Sequence, residues 1–239
     1  MKPLELLAAT EEGYRSISVY RDRGRVTVRT GGATPFVDER SFATEFIRPD
    51  PFRFELQYRH HAGARLRKFV VCAASGDTRI EWNVAQQYRQ PNSLSAALAA
   101  ATGISYGAAR AIPGLLMEEV GGRKATDLTG VISLGDDLLD GVACHRIVGH
   151  APLASGGREE SPRTLWIERE SLLIRQIEWT IGLGVASAQT MIEYDPTVGP
   201  LSDTASHFDV FNSRQGPQGP ERQAEWLTAM SRALLKFES

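Results

Sequence analysis

A serine flanked by two glycines is the first feature of this sequence that could carry out chemistry. Gly103-Ile104-Ser105-Tyr106-Gly107 has the spacing of a nucleophile elbow, in which a serine attacks an acyl group. Such an elbow follows a strand and opens a helix in a parallel α/β sheet. Here Ser105 lies between two helical stretches of a chain whose strands read as antiparallel, so the context does not favour a hydrolase.

The residues that could bind a metal are few and poorly spaced. Histidines occur at His60, His61, His145, His150 and His207. His60 and His61 are adjacent, so in a strand their side chains point to opposite faces and cannot share one ion. Asp136, Asp137 and Asp140 are acidic like a calcium loop, but they lack its alternate-position ligands and its closing glutamate. We therefore expect no metal and no cofactor.

The two cysteines, Cys72 and Cys144, lie in strand-like apolar runs. A free cysteine in such a run behaves as a small buried hydrophobic residue. Neither cysteine has a second metal ligand at close spacing, apart from His145 beside Cys144. We interpret both as unpaired core residues, and a disulfide is the alternative if the compartment is oxidising.

The strongest structural pattern is a hairpin between Ser41 and His60. Apolar and polar residues alternate at period two on both sides of Arg48-Pro49-Asp50-Pro51, which marks antiparallel strands with one buried and one wet face. The two prolines make this segment a turn, because proline fixes φ and cannot donate to a sheet. The residues on the predicted buried face are Phe42, Thr44, Phe46, Phe52, Phe54, Leu56 and Tyr58.

Helical spacing occurs at both ends of the chain and once in its middle. We expect one helix from Pro3 to about Arg15 and another from about Glu221 to Lys236. The middle of the chain, Ser93 to Glu119, is an apolar helical insert in two pieces. Ser93 is its N-cap, and Pro113 kinks or splits the second piece.

Strand-like runs occupy most of the remaining sequence. They are joined by short turns, of which Asp140-Gly141 is the clearest, and Gly24 is interpreted as a bulge or a tight turn. Short connections indicate a meander, and meanders are antiparallel. Outside the hairpin the runs are Ser18–Arg29, Arg65–Ala73, Thr78–Trp82, Leu128–Leu134, Val142–Gly149, Arg163–Glu168, Leu173–Ile181 and Ala186–Tyr194.

Length and composition are those of a globular domain. The chain has 239 residues, of which 42% are hydrophobic and 23% are charged, and its formal net charge is −2. The charge balance shows no basic footprint for nucleic acid. No linker divides the sequence, so we expect a single domain over residues 1–239.

Several of these segments resemble the outer-membrane lipoprotein carrier superfamily, LolA-like and RseB-like, and its periplasmic relatives. The similar segments are the opening helix that leads into a long first strand (Leu6 to Val28), the turn and aromatic strand of Phe46–Phe54, the strand opening of Asp140–Ile147, and the hairpin of Arg163–Trp179. The resemblance implies an α+β fold with a strongly curved antiparallel sheet, an incomplete barrel of about ten strands, and helices across its concave face.

The resemblance also implies a non-enzymatic carrier or sensor that binds a lipid, an acyl chain or a lipidated protein in the concave face. The helical insert would move to release the ligand, and apolar pockets of this kind suit acyl chains. We expect a periplasmic or secreted monomer whose signal peptide precedes the given sequence, and a cytoplasmic location is the alternative. The expected ligand-lining residues are Phe42, Phe46, Phe54, Leu56, Tyr58, Trp82, Leu98, Ile112, Leu116 and Trp166.

Two other interpretations stay open from the sequence. The lining residues could form a packed core, and the protein would then be an interaction or sensory module that works through a sheet edge or its outer face. Arg21, Arg23, Arg25 and Arg29 share one strand face. They form either a solvated surface or an electrostatic docking stripe for a membrane or an acidic partner.

Overall fold

The structure of the chain is a computed structural model. It describes the following residues: 1–31, 35–59, 61, 63–84, 87–89, 91–152, 160–183 and 186–199. The C-terminal helix predicted at about 221–236, His60 and His207 lie outside them. Within the described residues, no helix has the length and apolar character needed to cross a bilayer.

The chain begins with helix α1, Pro3–Ser16. Proline is tolerated in the first turn, and the backbone N–H of Lys2 donates to the Glu5 carboxylate over 3.0 Å. One side of the helix packs against the sheet, as the predicted helical spacing requires. Its buried residues are Leu6, Leu7, Thr10 and Tyr14.

Eleven strands form one antiparallel sheet. The strands are β1 Val19–Thr30, β2 Phe36–Ile47, β3 Phe52–Tyr58, β4 Arg67–Ala74, β5 Asp77–Trp82, β6 Gln87–Arg89, β7 Thr129–Leu139, β8 Val142–Pro152, β9 Glu160–Glu168, β10 Ile174–Leu183 and β11 Ala186–Val198.

The strand order is β6-β5-β4-β3-β2-β1-β11-β10-β9-β8-β7, so the first strand lies at the centre and pairs with the last. The edge strands β6 and β7 do not pair with each other in the described part of the chain, and the sheet stays open. The predicted fold class is confirmed: the protein is α+β, with a strongly curved, incomplete antiparallel barrel and helices across the concave face. The sheet has one strand more than the ten or so predicted.

The central hairpin shows why one face of the sheet is buried. In β3 the side chains alternate between buried and partly exposed along the whole strand. The buried set, Phe52, Phe54, Leu56 and Tyr58, defines what we call the inner face, and the intervening residues lie on the outer face. Across the ladder Phe52 pairs with Phe46 and Leu56 pairs with Phe42, so the inner face is aromatic on both strands.

A helical cover packs on the inner face. It consists of α2 Leu94–Ile104, α3 Ala108–Ala111, α4 Pro113–Leu116 and a 3-10 turn at Glu118–Val120. The Ser93 hydroxyl accepts from the backbone N–H of Ala96, as the predicted N-cap requires. Pro113 splits the second piece of the insert, because it occupies the first position of α4.

Gly24 does not form the bulge or turn predicted from the sequence. The β1 ladder runs through it in unbroken register to both neighbours. A Cβ atom at this position would lie 2.1 Å from the Phe42 ring and 2.4 Å from the carbonyl oxygen of Glu193. Glycine is therefore required here because the Phe42 ring lies directly over the strand, a close approach that any side chain would block.

We predict that Gly24→Ala destabilises the protein by about 3 kcal/mol, the upper end of the usual range for overpacking, because the added methyl group meets backbone as well as a ring. The measurement is the free energy of unfolding from urea titration. Gly182→Ala in β10 is the matched control, since nothing lies within 4 Å of a Cβ atom there. Equal stability of the two variants would show that the position of the Phe42 ring does not require glycine at residue 24.

Candidate functional site

The inner face and the helical cover bring nine of the ten predicted lining residues into one apolar cluster. Six come from strands β2, β3 and β5, and three come from the cover. Their exposed fractions lie between 0 and 5%. These residues are Phe42, Phe46, Phe54, Leu56, Tyr58, Trp82, Leu98, Ile112 and Leu116.

Trp166 is the tenth predicted residue, and the structure places it on the outer face. Its neighbours in β9, Leu165 and Ile167, are fully buried in the apolar cluster, so the residue between them points the other way. Arg146 lies over the Trp166 ring, 5.2 Å from its centroid. Trp166 therefore does not line the interior, and the prediction for this residue is wrong.

In the described part of the chain, the cover packs closely on the inner face. Small residues bring the cover close to the sheet, because Ala97, Ala101 and Ala109 of the cover are fully buried. The larger side chains Leu98 and Ile112 fill the space between them. An acyl chain could therefore enter the cluster only if the cover moved away from the sheet and the chain replaced the contacts of these residues.

Arg40 ties the cover to the inner face. It lies on β2 at 3% exposure and donates to the backbone carbonyl of Ile104, at the end of α2. It also pairs with Asp38, with Nη2 2.6 Å from Oδ2. The guanidinium lies 4.6 Å from the centroid of the Tyr58 ring and 4.5 Å from that of Tyr106. Sheet and cover thus meet at a charged, hydrogen-bonded cluster inside an apolar interior.

Tyr106 completes this cluster from the cover. Its hydroxyl donates to Asp38 over 2.7 Å and accepts from Arg40 over 3.3 Å. Burial raises the pKa of Tyr106, and the hydrogen bond to Asp38 adds to the rise, so the hydroxyl keeps its proton. Tyr106 and Gly107 have φ angles of 50° and 92°, which end α2 here, and we call this junction between α2 and α3 the hinge of the cover.

Arg48 makes a second tie at the other end of the cover. Its Nη2 donates to the carbonyl of Leu116 over 2.7 Å, and its Nε donates to the carbonyl of Ile17 over 3.1 Å. The guanidinium also lies 5.2 Å from the centroid of the Phe46 ring. The end of the cover is therefore held to the hairpin and to the residue after α1 by one side chain.

A buried carboxylate lies beneath α1. Asp22 is 1% exposed on the inner face of β1. It accepts from the Tyr20 hydroxyl over 2.9 Å and from the backbone N–H of Thr44 over 3.0 Å. Burial raises the pKa of Asp22 to about 7, although both hydrogen bonds favour the charged form. This group therefore titrates near neutral pH.

The outer face carries a polar groove of about 450 Å³ beside the turn between β7 and β8. Arg25 in this groove pairs with Glu193 over 2.9 Å, and Arg175 pairs with Asp195 over 3.1 Å. Outside the groove, Arg21, which lies on β1 like Arg25, pairs with Glu45 over 3.4 Å. Ion pairs thus neutralise two of the four arginines of the stripe, Arg21 and Arg25, which favours a solvated surface at these two positions.

The candidate nucleophile and metal ligands have structural partners. Ser105 is fully buried, and its hydroxyl donates to the carbonyl of Thr102 and accepts from the backbone N–H of Ala109. Asp136 pairs with His145 over 2.7 Å, and Asp137 pairs with Arg146 over 3.0 Å. Over the described residues, no group of three histidine, cysteine or acidic side chains is arranged to hold a metal ion. Cys72 and Cys144 are both buried and free.

The sequence contains a signal for the charged inner residues that our sequence interpretation missed. Asp38 and Arg40 have the same parity along β2 as Phe42 and Phe46, so the alternation that predicts the aromatic face also places them on it. Asp22 has the same parity as Tyr20 in β1. Extending the period-two pattern past its apolar members would have found all three residues.

Comparison with known proteins finds distant structural similarities. No protein-family model and no curated protein matches the chain. Among solved structures it is similar to LprF from Mycobacterium bovis, at 12% identity over 82% of this chain and 94% of that chain, with a TM-score of 0.46. It is also similar to the Mycobacterium tuberculosis lipoprotein LppX, at 16% identity over 80% of this chain and 92% of that chain, with a TM-score of 0.43.

A LolA superfamily protein, NE2245 from Nitrosomonas europaea, is a further similar structure. The identity is 12% over 84% of this chain and 95% of that chain, and the TM-score is 0.32. It belongs to the group that the sequence motifs resemble. At this level of identity and structural overlap, these similarities assign neither a ligand nor an activity to this chain.

We predict that the stability of the protein depends on the protonation of Asp22. Its pKa is raised from 3.8 to about 7 in the folded protein. The folded state therefore holds the proton more tightly than the unfolded state does between pH 3.8 and about 7. The contribution of Asp22 to stability is therefore full below pH 3.8 and is lost as the pH rises through about 7. The total change is of the order of 4 kcal/mol, at about 1.4 kcal/mol per pKa unit.

The measurement is urea unfolding at several pH values in this window. Asp22→Asn should flatten the decline relative to the unmodified protein, because the amide does not titrate. Glu170→Gln, which changes an exposed carboxylate, is the control and should keep the original slope. If Asp22→Asn keeps the original slope as well, the buried carboxyl does not titrate near pH 7.

Proposed function

We propose that this protein is a non-enzymatic carrier or sensor that holds the acyl chain of a lipid or of a lipidated protein between the inner face and the helical cover. The observation that supports this proposal is the shared apolar interior itself. Nine predicted lining residues from three strands and the cover form one cluster, and the cover is tied to the sheet by a small number of polar contacts.

The ligand would compete with the protein's own side chains. Each methylene group removed from water contributes about 0.8 kcal/mol, so an acyl chain gains affinity in proportion to its length. Leu98, Ile112 and Leu116 occupy the place of the chain in the closed state. Loading therefore exchanges the contacts of these residues with the sheet for contacts with the chain, and needs no reacting group.

Loading and release would proceed through the hinge of the cover. Besides the apolar packing, the contacts of Arg40 and Tyr106 at the hinge and those of Arg48 at the far end oppose opening. All three are polar contacts inside or beside an apolar interior, where a hydrogen bond is electrostatically stronger than in water. The cover can therefore exist in two states, closed with these bonds formed and open with them exposed to water.

The compartment follows from the sequence resemblance and forms part of the proposal. A carrier of this kind would act outside the cytoplasm as a monomer. Sequencing the gene upstream of Met1 would test this, because a hydrophobic leader that ends in a small-residue cleavage site directs export.

An interaction module is the second candidate function, and the edge strand β7 favours it. Among the described residues this strand pairs with β8 alone, and most of its own residues are exposed. Ile132, Leu134 and Leu138 are 57, 42 and 67% exposed. An open edge with apolar side chains is suited to pairing with an added strand of a partner protein. In this function the interior would remain a filled core.

We predict that the purified protein binds straight-chain fatty acids, and that affinity rises about fourfold for each added methylene, which is the equivalent of about 0.8 kcal/mol. The measurement is displacement of a fluorescent acyl probe by a series of acids that differ by two methylenes. Native mass spectrometry of the protein as purified should also show bound lipid at one molecule per chain.

The control variant for this experiment is Leu138→Ser. It removes the most exposed apolar side chain of β7 and should leave the affinities unchanged, because adsorption at the sheet edge is not the proposed mode. Absence of binding, or affinities that do not change with chain length, would favour the interaction module.

We also predict that Tyr106→Phe accelerates loading of the acyl probe by on the order of tenfold. The variant removes the hydroxyl that joins Asp38 and Arg40, and loss of hydrogen bonds to charged groups weakens the closed state by about 1–3 kcal/mol. The measurement is the rate of probe uptake after rapid mixing.

Tyr14→Phe is the matched control for this variant. It also removes one buried tyrosine hydroxyl, but that hydroxyl accepts from the backbone N–H of Ile174 beneath α1, far from the hinge. Its uptake rate should match that of the unmodified protein. If both variants accelerate uptake equally, loading depends on overall stability and not on opening of the cover.

A further inference from the structure

Arg163 is a charged residue on the inner face of β9. It has the same parity as Leu165 and Ile167, which are fully buried in the apolar cluster. In the ladders it lies opposite Trp179 of β10 and Gly149 of β8. The side chain is partly buried, and its Nε atom is buried without a hydrogen-bond partner in the described residues.

No carboxylate offsets the charge of Arg163 in the described part of the chain. Burial lowers the pKa of this guanidinium, and the positive charge of Arg123 lowers it further. The Tyr194 hydroxyl acts in the opposite direction. Arginine does not lose its proton at physiological pH, so within the described residues this charge has no carboxylate as a counter-ion. A partly desolvated charge without a partner is costly, which indicates that its position serves a ligand.

Arg40 differs from Arg163 in having a carboxylate partner among the described residues. Both arginines lie on the inner face, but Arg40 pairs with Asp38 and with the Tyr106 hydroxyl. Asp38 cannot serve Arg163 as well. Asp38 and Arg163 occupy one row of the sheet, separated by four strand-to-strand steps or about 19 Å along the sheet. Among the described residues, Arg40 thus has an internal anion and Arg163 has none.

Two neighbours of Arg163 are suited to an anionic group. The guanidinium lies 4.9 Å from the centroid of the Trp179 ring, which holds it in one orientation. Tyr194 is 5% exposed, and its hydroxyl is buried without a hydrogen-bond partner in the described residues. Burial raises the pKa of Tyr194 well above its usual value, and the charge of Arg163 opposes that rise, so the hydroxyl keeps its proton and remains a donor. A guanidinium and a free phenol hydroxyl both donate to anions.

We propose that Arg163, with Tyr194 and Trp179, binds the anionic headgroup of an acidic amphiphile whose acyl chain occupies the apolar interior. This inference rests on the proposed function and narrows the ligand class to amphiphiles that carry a carboxylate or a phosphate. The row next to Arg163 on the inner face is apolar over the four strands nearest to it, with Ile147, Leu165, Ile177 and Ile192 in register. A charged head at Arg163 therefore continues directly into a surface suited to a hydrocarbon chain.

The experiment compares dodecanoate, dodecanol and inorganic phosphate as probes on the intact chain. We expect dodecanoate to bind at least about tenfold more tightly than dodecanol, because a buried guanidinium forms charge-assisted hydrogen bonds with the carboxylate only. Arg163→Met should abolish this preference and leave dodecanol affinity unchanged, and Arg163→Lys should retain part of it. Phosphate alone should bind weakly, because it lacks the chain.

The matched control is Arg146→Met. Arg146 also lies over a tryptophan, but it does so on the outer face, and it pairs with Asp137. This variant should keep the full preference for dodecanoate. The urea midpoint of Arg163→Met provides a second readout, and it should equal or exceed that of the unmodified protein, because the substitution removes a charge without a partner.

The outcomes separate this inference from the proposed function. If dodecanol binds but the preference for dodecanoate is absent or survives Arg163→Met, the headgroup site is wrong and the carrier stands. If phosphate alone binds tightly through Arg163 and dodecanoate shows no advantage over dodecanol, the site serves a free anion. If neither amphiphile binds, both proposals fail.

Discussion

The structure depends on one constraint, which is that an open sheet cannot bury its own inner face. A closed barrel would enclose its aromatic residues between its walls, but β6 and β7 do not meet in the described residues. The row of aromatic side chains on β2 and β3 must therefore be covered from outside the sheet. The helical cover and α1 provide that cover, and the position of every polar group in the interior follows from how they dock.

The small residues of the cover determine how closely it docks. Ala97, Ala101 and Ala109 let α2 and α3 lie against the sheet, and the larger side chains on the same helices reach between them. The polar contacts of Arg40, Tyr106 and Arg48 add to this apolar packing in holding the cover on the sheet.

The sequence was sufficient for the features that depend on local pattern. The central hairpin, the Ser93 cap, the division of the insert at Pro113 and the nine inner residues all follow from period, capping and turn chemistry. Gly24 was misread because its role depends on the Phe42 ring of the neighbouring strand, which no local pattern reveals. Trp166 was misplaced because its aromatic character was given more weight than its parity with the buried Leu165 and Ile167.

The charged inner residues were missed for the same reason: apolar composition was given more weight than position in the period-two pattern. These residues differ in which groups satisfy their charge. Asp22 has a hydroxyl and a backbone N–H as donors, and Arg40 and Asp38 have each other. The Arg40–Asp38 pair also bonds to the cover through Ile104 and Tyr106, so it stabilises the closed state, whereas the partners of Asp22 lie in the sheet. Arg163 lacks such a partner in the described residues, although it shares the inner face with them. The Arg40–Asp38 pair shows that this fold can satisfy an inner arginine with a carboxylate, and the lack of one for Arg163 among the described residues is the physical ground for placing the headgroup there.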